Sequence, residues 1–430
     1  MFVKKLKCAR CGEEHGPEEK VFYCSKLDGR LDIYYDYDAI SNVLSREELS
    51  RRKAGTWKYT ELLPIKKGTK VVDLGEGNTP LIKCDDLGRA IGLRNLYAKD
   101  ETRNPTWSFK DRPMSVGVAK GIEFGVKTAV IASSGNAAAA LAAFCAKANI
   151  ECVTFVPHFA GAGKVAQLML YGAKVVRLKW EEGEDPTVKM MLETSQKYGW
   201  YPCPSFGPFN PYQFEGNKTM AYEICEQFGW ETPDWLFIPV GGGGLLAGNW
   251  KGFKEFQMLG FISSLPKIVA VQSTGCAPLV RAYEQGKGPF EIEPWGKPET
   301  IATGLEDPFP WDGDAALSAI RESGGTAVSV TNEEILEAQK LLAKEEGIFA
   351  EPSGVVSLAG LMKLLDSGMI DSGDLIVVEI TGSGLKDPDV VSEHLGLPPV
   401  IEPRIEVVDS YLKDSLRTNC QRSYDTKELL

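Results

Sequence analysis

From about residue 96 onward, short apolar runs rich in β-branched residues alternate with longer stretches of helical spacing. LYAKDE (96–101) predicts a strand, and 108–124 predicts a helix that Gly125 stops. TAVIASS (128–134) predicts a strand, followed by an alanine-rich helix over 136–148. ECVTFVP (151–157), AKVVRL (173–178), WLFIPV (235–240), KIVAVQS (267–273), TAVSVT (326–331) and LIVVEIT (375–381) predict further strands. Helical patterns lie between them, at 246–256 and at 332–345, where Asn332 suits an N-cap and Glu333 and Glu334 suit a first turn. Strands this apolar are covered on both faces. With intervening helices they predict an α/β fold built on parallel sheet.

The first 40 residues break this rhythm. CARC supplies Cys8 and Cys11, and Cys24 follows in CSKL, where Leu27 stands in place of a second paired cysteine. A ribbon-like module is expected over 1–40. Three thiolates alone do not close a tetrahedral structural zinc site, so zinc on Cys8, Cys11 and Cys24 needs a fourth donor such as His15 or Asp28. Reduced cysteines without metal are the alternative reading. The segment after 397, polar and proline-bearing at its start, is expected to pack as an extension.

A chain of 430 residues has room for two or three domains. Its net charge of −11 opposes a nucleic-acid footprint. The longest apolar runs, such as 137–145, fall short of a membrane span, and the N-terminus lacks the apolar core of a signal peptide. Ten scattered cysteines suit reduced thiols in a cytoplasmic protein. Acidic residues at 181–185 and at 345–346 read as solvated charge, and Lys99 and Lys386 as ion-pairing residues.

Ligands of parallel sheets bind at the carboxyl ends of strands. That rule selects residues 133–136, 241–244, the segment around Gln272, and 381–384. Gly241, Gly242, Gly243 and Gly244 run directly from a strand into a helix, leaving backbone N–H groups bare for a phosphate. Gly242, Gly244 and Ala247 also fit a dinucleotide fingerprint, but the next strand offers Gln272 where an acidic residue would hold the ribose. With only His15, His158 and His394 in the chain, and none in these loops, a serine or cysteine hydrolase is disfavoured. A phosphate-anchored cofactor and a lysine, Lys110 in NPTWSFKDR (104–112), together suggest pyridoxal phosphate.

GEGNTPL (75–81), NPTWSFKDR, SSGNAAAALAAF, NPYQFEGNKT (210–219), EEGIFAEPSG (345–354) and TGSGLKDPD (381–389) occur in one order across roughly 75–390. In these the chain resembles the threonine synthase branch of the fold-type-II pyridoxal-phosphate enzymes, in which a partly degraded cysteine ribbon also occurs. The resemblance implies two α/β domains with the cofactor in the cleft. The large domain would comprise 41–125 and 215–395, the small mobile domain 126–214, and a C-terminal extension 396–430. It implies that Lys110 carries the cofactor as a Schiff base and later shuttles protons. It also implies that Asn136 bonds the cofactor's 3′-hydroxyl, that residues 241–244 cradle its phosphate, and that Thr381 faces the pyridine nitrogen. Ser133, Ser134, Gly135 and Asn136 would take the substrate carboxylate, and a homodimer is implied.

Threonine synthases act on O-phosphohomoserine, and around the substrate this chain departs from their pattern. It has Gln213 in place of arginine, Ala137 in place of threonine and Trp107 in place of glycine. Either Arg103, Lys164 or Lys218 supplies the missing positive charge, or the substrate is not phosphorylated. The second alternative points to a dehydratase or ammonia-lyase acting on serine, threonine or a diamino acid, or to another β- or γ-replacement. A catalytically silent paralogue is a third, non-enzymatic reading, which intact Lys110, Asn136 and Thr381 oppose.

Overall fold

The computed structural model describes residues 1–26, 29–180 and 185–413. Leu27 and Asp28, the acidic positions 181–184 and the tail from 414 lie outside the described residues. Strands β1 (Val3–Cys8), β2 (Glu14–His15) and β3 (Leu31–Tyr35) form an antiparallel sheet in the order β2-β1-β3. Strands β4 (Leu81–Lys83) and β5 (Asn95–Asp100) open a second sheet. Strands β6 (Thr128–Ala132), β7 (Glu151–Pro157), β8 (Lys174–Leu178) and β9 (Tyr201–Pro202) make a parallel sheet of their own, ordered β8-β7-β6-β9. Strands β10 (Trp235–Pro239), β11 (Lys267–Ser273), β12 (Thr326–Val330) and β13 (Leu375–Ile380) complete the second sheet, ordered β12-β11-β10-β13-β5-β4. All its neighbours are parallel except the short edge strand β4, which runs against β5.

The apolar runs are continuous because both faces of each sheet are covered. Along β10, Leu236 and Ile238 enter one core with Leu246, Phe253 and Met220, while Trp235 and Phe237 enter another with Val355 and Leu361. The small sheet does the same. Ala129 and Ile131 pack on the alanine-rich helix Asn136–Ala148, and Val130 and Val153 pack with Met191 of the helix Pro186–Tyr198. Alanine suits the first interface because its short side chain lets the helix lie close against its neighbours.

The N-terminal sheet does not stand on a core of its own. Leu6, Leu31, Ile33 and Tyr35 share one buried cluster with Tyr212, Met220 and Trp250. Met1–Asp387 is one compact unit, and the chain from Pro388 is a second, carrying the helix Pro388–Leu395.

Two local expectations change. The helix predicted from 108 begins at Asp111, because Ser108 pairs instead with Gly382 in a β-bridge. Asn332 is not the N-cap. Thr331 caps that helix in a capping box with Glu334, and Asn332 accepts hydrogen bonds from Thr300 Oγ1 and Ile301 N.

Candidate active site

Three of the four strand-end loops converge on Lys110. The residues before it run antiparallel to the end of β13: Phe109 N donates to Thr381 O at 3.0 Å and Ser383 N to Trp107 O at 3.0 Å. Asn136, at the start of the alanine-rich helix, donates through Nδ2 to Glu351 Oε1 at 2.8 Å. Glu351 N in turn donates to Gly382 O at 3.0 Å. A side chain at 382 would sit 2.4 Å from Glu351 Oε1, so only glycine admits this approach. The fourth loop is not part of the site. Gln272 is buried and holds together Leu279 N, Val280 N and Val240 O, tying the helix Pro278–Glu284 to its strand.

The glycine run meets the same lysine through Asp307 and Asp312, which pack on Gly242 to Gly244 and act on the Lys110 charge. Gly243 has φ +92 and caps the helix Gly244–Met258 without any side-chain bond, so the first amides of that helix are uncapped by its own N-cap. A Cβ there would meet Asp312 backbone atoms at 3.1 Å. Asp312 N donates to Gly242 O at 2.8 Å, and the Asp312 carboxylate accepts from Gly207 N. Its other neighbour is Arg30 Nη1, at 3.6 Å, reaching in from the N-terminal segment.

Lys110 is enclosed. Burial pushes its amine down to about 8 against the opposing pull of Asp307, Asp312 and Glu351. Burial also raises all three carboxyls, each to about 7. Lys110 Nζ lies 4.6 Å from the centre of the Phe109 ring. A buried amine with a depressed pKa is a nucleophile at neutral pH. The side-chain oxygens of Ser108, two residues before it, and of Asn217, beside Gly244 and Gly248, are buried without a hydrogen-bond partner, and a Cβ at Gly135 would meet open space. A free hydroxyl on Ser108, bare helix amides and a poised lysine fit a phosphorylated aldehyde.

The substrate-side candidates divide. Ser133, Ser134 and Gly135 are half-buried at the N-terminus of the helix Asn136–Ala148, and Gly135 N donates to Ser133 Oγ at 3.2 Å. Trp107 has φ +69 and is 47 % exposed, so about half of its surface stays in solvent. Gln213 is buried, with Nε2 bonded to Asn210 O and Oε1 unpartnered. Of the three proposed cations, Lys218 is spent on Glu215 and Glu255 in a buried ion cluster, and Arg103 pairs with Asp100 while 65 % exposed. Lys164 borders the site, bonded to Thr303 Oγ1 and Asp387 Oδ2, each at 3.0 Å. Asp307, Asp312 and Glu351 were not singled out from sequence. Glu351 carried one signal, its place just before a helix-opening proline, which also suits a plain N-cap.

In the ribbon segment the Sγ atoms of Cys8, Cys11 and Cys24 lie within 4.8 Å of one another. His15 is not in this group, since its ring faces Glu13 and Glu19. Lys99 does pair, with Glu223, whereas Lys386 bonds Thr106 O and Gln167 Oε1.

The family model for pyridoxal-phosphate dependent enzymes matches residues 72–382. A threonine synthase of Methanocaldococcus jannaschii is 43% identical over 95% of this chain and 99% of its own length. One of Methanosarcina acetivorans is 44% identical over 94% of this chain and 97% of its own. Among solved structures, threonine deaminase isoform 2 of Solanum lycopersicum in its processed form superposes with a TM-score of 0.62 at 25% identity, covering 74% of this chain and 84% of that one. The chain belongs to the pyridoxal-phosphate dependent enzymes and, among them, to the threonine synthase family.

Proposed function

We propose that this protein converts O-phosphohomoserine and water to threonine and phosphate. The observation that carries the reading is Lys110. It is half-buried, its amine is held near neutrality, and the residues just before it are pinned to the end of β13. Bound pyridoxal phosphate supplies an electron sink that acidifies the substrate's carbon-bound hydrogens. The amides of residues 241–244 would hold the cofactor's phosphate, Lys110 Nζ its aldehyde carbon, and Asn136 and Thr381 would bond its ring. Thr381 offers a neutral hydroxyl and no charge. Lys110 Nζ would be the base that takes the proton at the substrate's Cα and then carries protons at Cβ. Ser133, Ser134 and Gly135 bind the substrate carboxylate at a helix N-terminus. Lys164 supplies the cation for the leaving phosphate that Gln213 does not. Residues 126–214 move as the smaller domain, close over bound substrate and exclude water. The enzyme works as a homodimer in the cytoplasm, with no helix among the described residues long and apolar enough to cross a membrane.

One observation favours a second reading, elimination to a keto acid and ammonia: the arginine expected for a phosphorylated substrate is replaced by a buried glutamine. A substrate panel decides. O-Phosphohomoserine, threonine, serine and 2,3-diaminopropionate are offered separately, and phosphate, threonine and keto acid are assayed. Phosphate release matched by threonine is expected. Keto acid without turnover of the phosphorylated substrate would replace the synthase with the lyase. Borohydride reduction of the holoenzyme should fix the cofactor at Lys110, and Lys110→Ala should abolish both labelling and turnover.

A further inference from the structure

We propose that Cys8, Cys11, Cys24 and Glu13 form a four-donor binding site for a thiophilic divalent cation, Zn2+ above all, in the N-terminal sheet. The three sulfurs converge although they come from two separate loops, one after β1 and one before β3. Cys11 Sγ and Cys24 Sγ are 3.4 Å apart. A tetrahedral zinc site with Zn–S of about 2.3 Å places its sulfurs about 3.8 Å from one another, so a small outward shift admits the ion. The loop after β1 already has the shape of a metal knuckle. Cys11 N points at Cys8 Sγ at 3.5 Å, Gly12 N donates to Cys8 O at 3.1 Å, and Gly12 takes φ +77 to turn the chain back. An amide aimed at a ligating sulfur offsets the charge that the thiolate gains.

Glu13 stands beside Cys24 but outside the set of atoms within 4.8 Å of one another, so it joins as fourth donor when the ion draws its carboxylate in. Glu13 Oε2 lies 3.1 Å from Cys24 Sγ, while Oε1 lies 3.3 Å from His15 Nε2. In a tetrahedral site with Zn–O of about 2.0–2.2 Å a carboxylate oxygen stands about 3.5 Å from a ligand sulfur. His15 then belongs outside the ligand set, where it orients the carboxylate in the manner of outer-shell partners elsewhere. Ser25 N and Oγ hold the same oxygen at 3.0 and 2.8 Å. The leucine at position 27 therefore does not leave the site one ligand short. On binding, the ion displaces the thiol protons to solvent and no electron is transferred, so no oxidant is needed.

The ion has a structural reason to be here. Cys8 and Cys24 are almost fully buried, and Ala9 N donates to Arg30 O at 2.9 Å beside them. The ion would thus tie the loop after β1 to the loop that delivers Arg30 to Asp312.

The test uses the reduced, chelator-stripped full-length protein and Co2+ as the probe. One equivalent should bind with sulfur-to-cobalt charge transfer and the visible bands of a tetrahedral site, and Zn2+ should displace it. Bound metal should shield three thiols from alkylation. Glu13→Gln should weaken binding by roughly tenfold or more while the charge-transfer band persists. Cys11→Ser, at a half-exposed position, should lose the tetrahedral spectrum. Absence of a stoichiometric cobalt band in the unaltered protein, with two of the three thiols lost to a disulfide in air, would overturn the metal site. Unchanged affinity in Glu13→Gln would overturn the assignment of the fourth donor. None of these readouts depends on pyridoxal phosphate or on turnover.

Discussion

Burial pushes the Lys110 amine from its ordinary 10.5 down to about 8, because a charged ammonium in that enclosure loses its hydration. The folded value lies below the unfolded one, so between them the unfolded chain binds the extra proton. The stability contributed by this group is lowest below pH 8 and rises as pH climbs through that window. The same neutral amine is the form that captures an aldehyde. Cofactor uptake by the apoenzyme, followed by absorbance, should therefore rise with pH around a midpoint near 8 and level off. A rate still climbing past about pH 10 would mean an ordinary, hydrated lysine. Trp107 presents the opposite case, a bulky residue in a place that suits glycine. At φ +69 a side-chained residue is strained by about 1–2 kcal/mol, and a half-exposed indole recovers little of that by packing. Trp107→Gly should raise unfolding stability by up to about 1 kcal/mol, since greater chain entropy offsets part of the gain. Denaturant unfolding checks it, and a loss of stability would show that the indole is a packing residue.

The helix Asp111–Glu123 begins immediately after Lys110, and its second residue, Arg112, fixes how it sits. Arg112 is fully buried. It bonds Glu101 on one side and Glu223 of the helix Thr219–Gln227 on the other, with Thr79 and Thr219 completing the set. Lys99 of β5 pairs with the same Glu223 at 2.8 Å. Against the cost of burial, Arg112 and then Lys99 hold the Glu223 carboxyl well below its ordinary range. Glu223→Gln removes one charge and leaves two buried cations under-compensated, which should cost about 3–5 kcal/mol. Calorimetry should show that loss, and a change below about 1 kcal/mol would mean the network is balanced without it. These elements also show what a sequence can disclose. The strands are plain because double-sided burial writes an unbroken apolar run. The start of the Lys110 helix was misplaced by three residues because Ser108 prefers a bridge to Gly382, a partner 274 positions away. Lys110 and the glycines were legible because local order marks them. Asp307, Asp312 and Glu351 were not, since only the fold brings them to the amine, and on a linear chain a buried carboxylate looks like any surface charge. Strands β2, β4 and β9 escaped because two or three residues write no pattern, and β1 and β3 because charged positions interrupt theirs.

At the scale of the whole molecule, the N-terminal segment is wired to the active site through a single buried side chain. Arg30 bonds Asp32 at 2.8 Å and Asp314 at 2.9 Å, and stands 3.6 Å from Asp312. Asp312 holds Gly242 O through its amide and Gly207 N through its carboxylate, so it joins the glycine run to the chain entering NPYQF. The arginine thus supplies the positive charge that lets a buried carboxylate stand behind a phosphate-binding loop. Without it, burial would push the Asp312 carboxyl, already raised to about 7, further up, and the positive charge behind the phosphate-binding loop would be lost. Arg30→Met should destabilise the protein by about 3–5 kcal/mol, as removal of one member of a buried ion group does. It should also weaken pyridoxal phosphate binding by at least roughly tenfold, about 1.4 kcal/mol. The double variant Arg30→Met/Asp312→Asn removes both charges and should recover much of the stability, so the two substitutions would be strongly non-additive. Equilibrium unfolding and cofactor titration of the four proteins in this cycle measure the coupling. Additive effects would show that Arg30 merely pins the N-terminal sheet in place. A coupling of 1 kcal/mol or more, on the order seen for contacting residues, would make that sheet part of the cofactor site's electrostatics.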